Sequence, residues 1–350
     1  MSDVIRIGVI GAGENTRNRH LPGFQSLQDV EIRGVVNSTK ESTQRVASEF
    51  NIPETFETWQ DLIASDDIDA IMIGTWPNLH CEITCAALEA GKHVLCEARM
   101  ARDLTESRKM LAVANEHPEL VAQLVPSPFG LECGPTLTDM LKSFFLGDLR
   151  EVIVLGANDQ FWDYSKTLHP RQDIEQSGKN TLALGILHET LMRWTPKPVQ
   201  VFAQSEIFEP TRPVPEANDF VEVKIPDSVQ IVSELKGGVR CMYHLSGVIL
   251  FGPGLQIHLY GSRGTIKIEF VDGKETVWYG RADDKEMSIL EIPEEEKGSW
   301  NVEADFIESI RGNKKVSLTN FKTGVEYMEF VEAVALSAAA NQPVTLPLEV

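Results

Sequence analysis

Residues 4–16 read Val4-Ile5-Arg6-Ile7-Gly8-Val9-Ile10-Gly11-Ala12-Gly13-Glu14-Asn15-Thr16, and this stretch decides the fold of the first half of the chain. A short aliphatic run ends in a glycine turn, and a helical pattern follows at once. Gly11 permits the tight turn, and Gly13 lets backbone approach a pyrophosphate. The helix N-terminus then offers unpaired amides and the positive end of its dipole. Two glycines alone make a weak signal. Their place between a strand and a helix, inside a βαβ unit, raises them above an ordinary glycine turn. Thr16 stands where a third small residue is usual, so packing there is looser or its hydroxyl reaches a phosphate.

Working outward, the first 125 residues alternate apolar runs with helical patterns, as repeated βαβ units do. The strand candidates are 5–10, 31–36, 70–74, 94–96 and 120–124. Several are rich in Val, Ile and Leu without strict alternation, as expected of parallel strands covered on both faces. Ile83, Ala86, Ala87 and Ala90 form a helical stripe, and Gly91 ends it. A doubly wound parallel sheet is the expectation for residues 1–125.

Beyond residue 125 the pattern changes. Residues 149–162 read as a long strand, followed by an irregular segment and a helix near 181–194. Val229, Ile231, Ser233 and Leu235 alternate before Gly237-Gly238, read as a two-residue hairpin turn. Ile266, Ile268 and Phe270 alternate before Asp272-Gly273. Helices near 300–311 and 321–340 close the chain. Residues 126–350 are therefore expected to form an α+β domain with a largely antiparallel open sheet, the C-terminal helix being able to pack back on the first domain.

The chain has 350 residues, 42% of them hydrophobic and 24% charged, enough for two cores. Its formal charge of −20 argues against nucleic acid and anionic membrane surfaces as partners. No apolar run approaches the roughly 18 residues of a membrane span, and no basic leader precedes the first strand, so a cytoplasmic location is expected. Five cysteines without a CxxC pair fit reduced core thiols; Cys81 and Cys85 lie one helical turn apart but lack further ligands for a metal.

The end of the second strand bears on the type of dinucleotide. An acidic residue there would accept from ribose hydroxyls and favour NAD. The sequence has Asn37-Ser38-Thr39-Lys40 instead, with hydroxyls to donate and a lysine to supply charge. Arg17 and Arg19 add positive potential nearby. This favours NADP over NAD, although Asn37 and Ser38 can equally cap the next helix. The candidate dinucleotide contacts are Gly11, Gly13, Glu14, Asn15, Thr16, Asn37, Ser38, Thr39, Lys40, Thr75, Trp76, Pro77, His80, Glu97 and Ala98.

Several stretches together resemble the Gfo/Idh/MocA (glucose–fructose oxidoreductase, inositol dehydrogenase, rhizopine catabolism) family across nearly the whole chain. They are Gly11-Ala12-Gly13, Trp76-Pro77-Asn78-Leu79-His80, the run from Ala90 to Glu97, Gly261-Ser262-Arg263-Gly264-Thr265, and the closing Ser337 and Pro343-Val344-Thr345-Leu346-Pro347. The resemblance implies a Rossmann domain, an open-sheet second domain, NAD(P), and a sugar, cyclitol or related polyol as substrate. It also implies a homo-oligomer, dimer or tetramer, built through the open sheet.

Two positions depart from that pattern. The family usually carries Glu-Lys-Pro after the fifth strand, where this chain has Glu97-Ala98-Arg99. Members usually show an Asp followed four residues later by a His; here the positions are Leu184 and His188. Alcohol oxidation needs a base for the hydroxyl proton, and His188 is the remaining candidate. Arg99 can stabilise an alkoxide without acting as a base. Lys179 is a second cation with suitable chemistry. Trp162 and Tyr164 are candidates for an aromatic wall against a sugar ring, with Asn180 close in sequence. Asp159, Asp163, His169 and Arg171 lie in the same irregular segment as possible replacement groups.

Three functions follow. The first is an NAD(P)-dependent dehydrogenase or reductase with a rearranged acid/base set. The second is a glycoside-cleaving or eliminating enzyme that oxidises its substrate transiently. The third is a dinucleotide-binding protein without catalysis, for which Ala98 and Leu184 are the best support.

Overall fold

The computed structural model describes residues 4–316 and 318–349. The chain divides into two compact units, Met1–Pro126 with Asn301–Met328 and Ser127–Trp300 with Glu329–Val350. Among the described residues no helix is long and apolar enough to cross a membrane.

The first unit is built on six strands: β1 (Ile5–Ile10), β2 (Val30–Val36), β3 (Glu54–Thr55), β4 (Ala70–Ile73), β5 (His93–Cys96) and β6 (Ala122–Leu124). They pair in parallel in the order β3-β2-β1-β4-β5-β6. β4 is buried along its whole length and β1 along all but Arg6, which explains their unbroken aliphatic sequence. Order reverses between β1 and β4, so the turns leaving those strands flank a switch point, where open α/β sheets bind ligands. Helices α1 (Leu21–Gln25), α2 (Lys40–Phe50), α3 (Trp59–Ala64), α4 (Pro77–Glu89) and α5 (Leu104–Glu116) connect the strands. The last expected strand is shorter than residues 120–124, because Leu120 N–H turns back to His117 carbonyl before the ladder begins.

The second unit carries α6 (Gly134–Lys142), β7 (Leu149–Ala157), α7 (Ile174–Ser177), α8 (Leu184–Met192), β8 (Pro198–Glu206), β9 (Thr211–Val214), β10 (Asp219–Glu222), β11 (Ser228–Leu235), β12 (Val239–Ser246), β13 (Gly254–Gly261), β14 (Gly264–Val271), β15 (Lys274–Arg281) and β16 (Ser288–Ile289). With β17 (Val344–Thr345), nine strands form a mixed sheet in the order β16-β15-β14-β13-β7-β12-β11-β8-β17. All neighbours are antiparallel except β7 and β12. Residues Val229, Ile231, Ser233 and Leu235 point to the covered face, whereas Val232 is 57% exposed. Leu187, Leu191, Phe330 and Val334 pack against that covered face.

Two expectations need correction. The strand starting at Leu149 ends at Ala157, not Trp162: after the Asn158 N–H to Ser246 carbonyl bond the chain turns, and the Trp162 N–H donates back to the Asp159 carbonyl. The β11–β12 connection holds three residues, Lys236-Gly237-Gly238, between the paired Leu235 and Val239. Both glycines sit at positive φ, +91° and +81°, which a side chain rarely adopts.

Two further helices, α9 (Val302–Ile310) and α10 (Phe321–Ala340), complete the chain. Residues 301–328 belong to the first unit. There the Tyr327 hydroxyl accepts the Met100 N–H at 2.5 Å, and Gln123 Nε2 donates to the Val302 carbonyl at 3.3 Å.

Candidate functional site

At the C-terminal ends of β1, β2 and β4 the first unit has an open cleft of about 490 Å³. Gly11, Gly13, Asn37, Ser38, Thr75 and Trp76 line it together with Glu57, Thr58, Trp59 and Gln60, a β3–α3 stretch that carries no local motif to mark it. Thr58 caps α3 through its hydroxyl, which explains why that polar segment stands at the rim.

The glycine turn is held from both sides. Gly11 takes φ +83°, and a Cβ there would lie 2.9 Å from the Thr75 nitrogen. Gly13 differs. A Cβ on it would meet nothing closer than the Gly74 oxygen at 3.9 Å, so it is not demanded by interior packing. It leaves a hollow that a ligand backbone-distance away would fill. Asn37 Oδ1 accepts the Ala12 N–H at 2.7 Å, while its Nδ2 donates to Ser42 Oγ at 2.8 Å. Asn37 is therefore a brace for the turn. The cap of α2 is Thr39, whose hydroxyl accepts the Ser42 N–H, and not Asn37 or Ser38. Ser38 and Lys40 are exposed at that rim.

Thr16 is buried, and its hydroxyl donates to the Gly11 carbonyl at 3.3 Å. The suggestion that it reaches a phosphate is corrected accordingly: it packs the helix start onto Gly74, where any Cβ would overlap it. Arg17 is committed to Glu49 in an ion pair at 2.6 Å. Glu14 and Asn15 remain exposed in the first helical turn, where amides lack carbonyl partners one turn earlier.

His80 joins the loops after β4 and β5. It is fully buried, with Nε2 2.9 Å from the Thr75 carbonyl and Nδ1 2.9 Å from the Arg99 carbonyl. Burial keeps its pKa below the ordinary imidazole value. His80 thus fixes backbone rather than facing the cleft. Glu97 likewise holds structure: its Oε2 accepts the Ala98 N–H at 3.1 Å, and Oε1 accepts from Asn15 Nδ2 and from His20. Burial opposes charge on Glu97, yet the hydrogen bond from His20 leads a set that holds its carboxyl below the usual range. Arg99 is buried.

In the second unit, His188 on α8 is 2% exposed. Its ring stacks on Phe330 with centroids 3.8 Å apart, and Nδ1 shares a hydrogen bond with the Tyr243 hydroxyl at 2.8 Å. Burial pushes its pKa down to about 3. Leu184 is fully buried one turn earlier. Lys179 is paired with Glu332 of α10. Asn180 is buried and donates through Nδ2 to the Ser177 carbonyl at 2.7 Å. Trp162 and Tyr164 are 49% and 69% exposed, on a segment whose Phe161 and Asp163 carbonyls accept from the buried Arg212 guanidinium at 2.5 and 2.6 Å. Arg212 was not singled out from sequence, since nothing local distinguishes it from a surface arginine. Asp163 and His169 are used by their own turns, accepting from Ser165 and from the Arg171 N–H.

The cleft fits a dinucleotide by two observations. Gly13 leaves an open cradle, and the Thr75 hydroxyl, buried in the cleft wall, has no hydrogen-bond partner among the described residues. Residues 5–123 match the family model of Gfo/Idh/MocA, the oxidoreductase family with NAD-binding Rossmann fold. Those residues are similar to the dinucleotide-binding domain of that family. Levoglucosan dehydrogenase in complex with NADH and L-sorbose superposes with a TM-score of 0.86 at 20% identity, covering 99% of this chain and 100% of that one. An uncharacterized oxidoreductase of Synechocystis sp. is 24% identical over 273 residues, 75% of this chain and 71% of that protein. The NADP-dependent scyllo-inositol 2-dehydrogenase of Bacillus subtilis is 27% identical over 149 residues, 43% of this chain and 40% of the relative. That match spans less than half of either protein.

Proposed function

We propose that this chain is a Gfo/Idh/MocA-type oxidoreductase that interconverts a CH–OH and a carbonyl on a sugar, cyclitol or related polyol, with NADP favoured over NAD. The observation that carries the reading is the Gly13 cradle beside the orphaned Thr75 hydroxyl, at the switch point of the parallel sheet. When bound, the nicotinamide supplies a hydride acceptor or donor. Gly13, Glu14 and Asn15 would hold the pyrophosphate through backbone amides, and Ser38 with Lys40 would receive a 2′-phosphate. The names of the Bacillus and levoglucosan relatives support the substrate class.

The acid/base set is read as rearranged. His188 serves as a neutral hydrogen-bonding group backed by Tyr243, because a ring with a pKa near 3 is a weak base at neutral pH. Arg99, permanently charged, stabilises negative charge developing on the substrate oxygen. Lys179 contributes a cation whose position is set by Glu332. Trp162 and Tyr164 offer apolar faces to a sugar ring.

A second reading is dinucleotide binding without turnover: Ala98 and the fully buried Leu184 stand where the resemblance to Gfo/Idh/MocA implies ionisable groups. Titration with all four nicotinamide dinucleotides, followed by an absorbance screen at 340 nm (the reduced-nicotinamide band) against polyols and keto-sugars, separates the two. Binding with hydride transfer supports the enzyme. Binding without transfer across the panel selects the second reading, and no binding removes both.

A further inference from the structure

Three ionisable side chains meet inside the first unit behind the glycine turn. His20 ends the π-helical turn Thr16–His20 and is 0% exposed. Its Nδ1 lies 2.5 Å from Glu303 Oε1, and its Nε2 lies 3.0 Å from Glu97 Oε1. A neutral imidazole carries one N–H, so a carboxylate on each nitrogen requires the doubly protonated, cationic ring. The same Glu97 oxygen accepts from Asn15 in the first helical turn, and its other oxygen accepts the Ala98 N–H beyond β5. In this strand order the adenosine half of a dinucleotide lies toward β2, so the nicotinamide half extends toward the ends of β4 and β5.

One carboxylate therefore ties the phosphate turn to the β5 loop, and one buried cation holds that carboxylate. Glu303 reaches the ring from α9, 283 residues away in sequence. Buried charges of this kind are poor investments in stability compared with apolar packing, and removing one partner leaves the others exposed to their full desolvation cost. We propose that His20 is a positioning residue of the dinucleotide site: it fixes Glu97 so that Asn15 and Ala98 form one ledge under the nicotinamide half, with Glu303 as its counter-ion. This rests on the dinucleotide reading above.

The test uses the full chain and the variants His20→Gln and Glu303→Gln, titrated at pH 7 with NADH and AMP, and with NADPH and adenosine 2′,5′-bisphosphate. The truncated ligands lack the nicotinamide half. Loss of a charge-assisted contact predicts binding of the complete dinucleotides weakened about tenfold or more, with less than about threefold change for the truncated ligands. Equal losses for complete and truncated ligands would make His20 a general structural residue and overturn the proposal. Variants that bind NADH and NADPH as the parent does overturn it too. If His20→Gln fails to fold by circular dichroism, Glu303→Gln carries the same comparison. A parent protein that binds none of the four ligands overturns the dinucleotide reading itself, whereas normal parent binding beside unchanged variants removes only the role of His20.

Discussion

Asn37 Oδ1 accepts the Ala12 N–H at 2.7 Å, so the last residue region of β2 holds the middle of the glycine turn. The amide that Asn37 occupies is withdrawn from ligand binding, leaving those of Gly13 and the first helical turn. An aspartate would keep the same acceptor and add negative charge where a 2′-phosphate would lie. Asn37→Asp is expected to preserve folding and to weaken NADPH relative to NADH by about tenfold, through like-charge repulsion. Parallel calorimetric titrations check this, and an unchanged ratio would separate Asn37 from cofactor choice.

Lys40 opens α2 at the exposed rim. Lys40→Ala is expected to weaken NADPH several-fold, about fivefold or more, with little change for NADH. The difference should shrink in high salt. Equal weakening of both cofactors would argue against contact with a 2′-phosphate.

The two turn glycines should respond differently to alanine. Gly11→Ala must place a side chain at φ +83°, 2.9 Å from the Thr75 nitrogen, and should destabilise the protein by about 1–2 kcal/mol or more. Gly13→Ala meets no protein atom closer than 3.9 Å, so it should unfold at nearly the parent temperature while losing dinucleotide affinity. Thermal melts with and without NADPH distinguish them.

His188→Ala is expected to lower kcat by about tenfold once a substrate is found, through loss of the hydrogen bond shared with Tyr243. Because burial sets the ring pKa near 3, the parent should show no His188 limb in its pH–rate profile between 5 and 8. Turnover close to that of the parent would remove His188 from the reaction. The variant also loses the stacking on Phe330, so activity should be compared at temperatures where it is folded.

Two histidines give opposite slopes of stability with pH. Burial opposes charge on His20, but hydrogen bonds to Glu303 and Glu97 raise its pKa from 6.5 to about 9. The folded state therefore binds its proton more tightly. That contribution, up to roughly 3 kcal/mol, is complete below 6.5 and is lost as pH rises through 9. His188 has its pKa lowered from 6.5 to about 3, so its contribution is present above 6.5 and declines as pH falls toward 3. Tm should peak near pH 6–7 in these two respects. His20→Gln should flatten the alkaline side, and an unchanged alkaline slope would mean that His20 does not carry it.

The strand–glycine–helix start, the parallel βαβ alternation and the alternating strands of the second half were legible because each is a local pattern: side-chain period and turn chemistry report backbone state within a few residues. Thr16, Asn37 and Asp163 were visible as polar residues in turns, but their bonds depend on neighbours that local spacing does not fix. The sequence by itself determined the two kinds of sheet and the phosphate turn, since burial on one or both faces writes itself into residue order. Only the tertiary structure decided that Glu303 neutralises His20 across 283 residues, that Arg212 pins the segment bearing Trp162, and that His188 lies buried against Phe330 with its basicity suppressed. Charge and desolvation depend on distance in space, and the folded chain alone sets those distances.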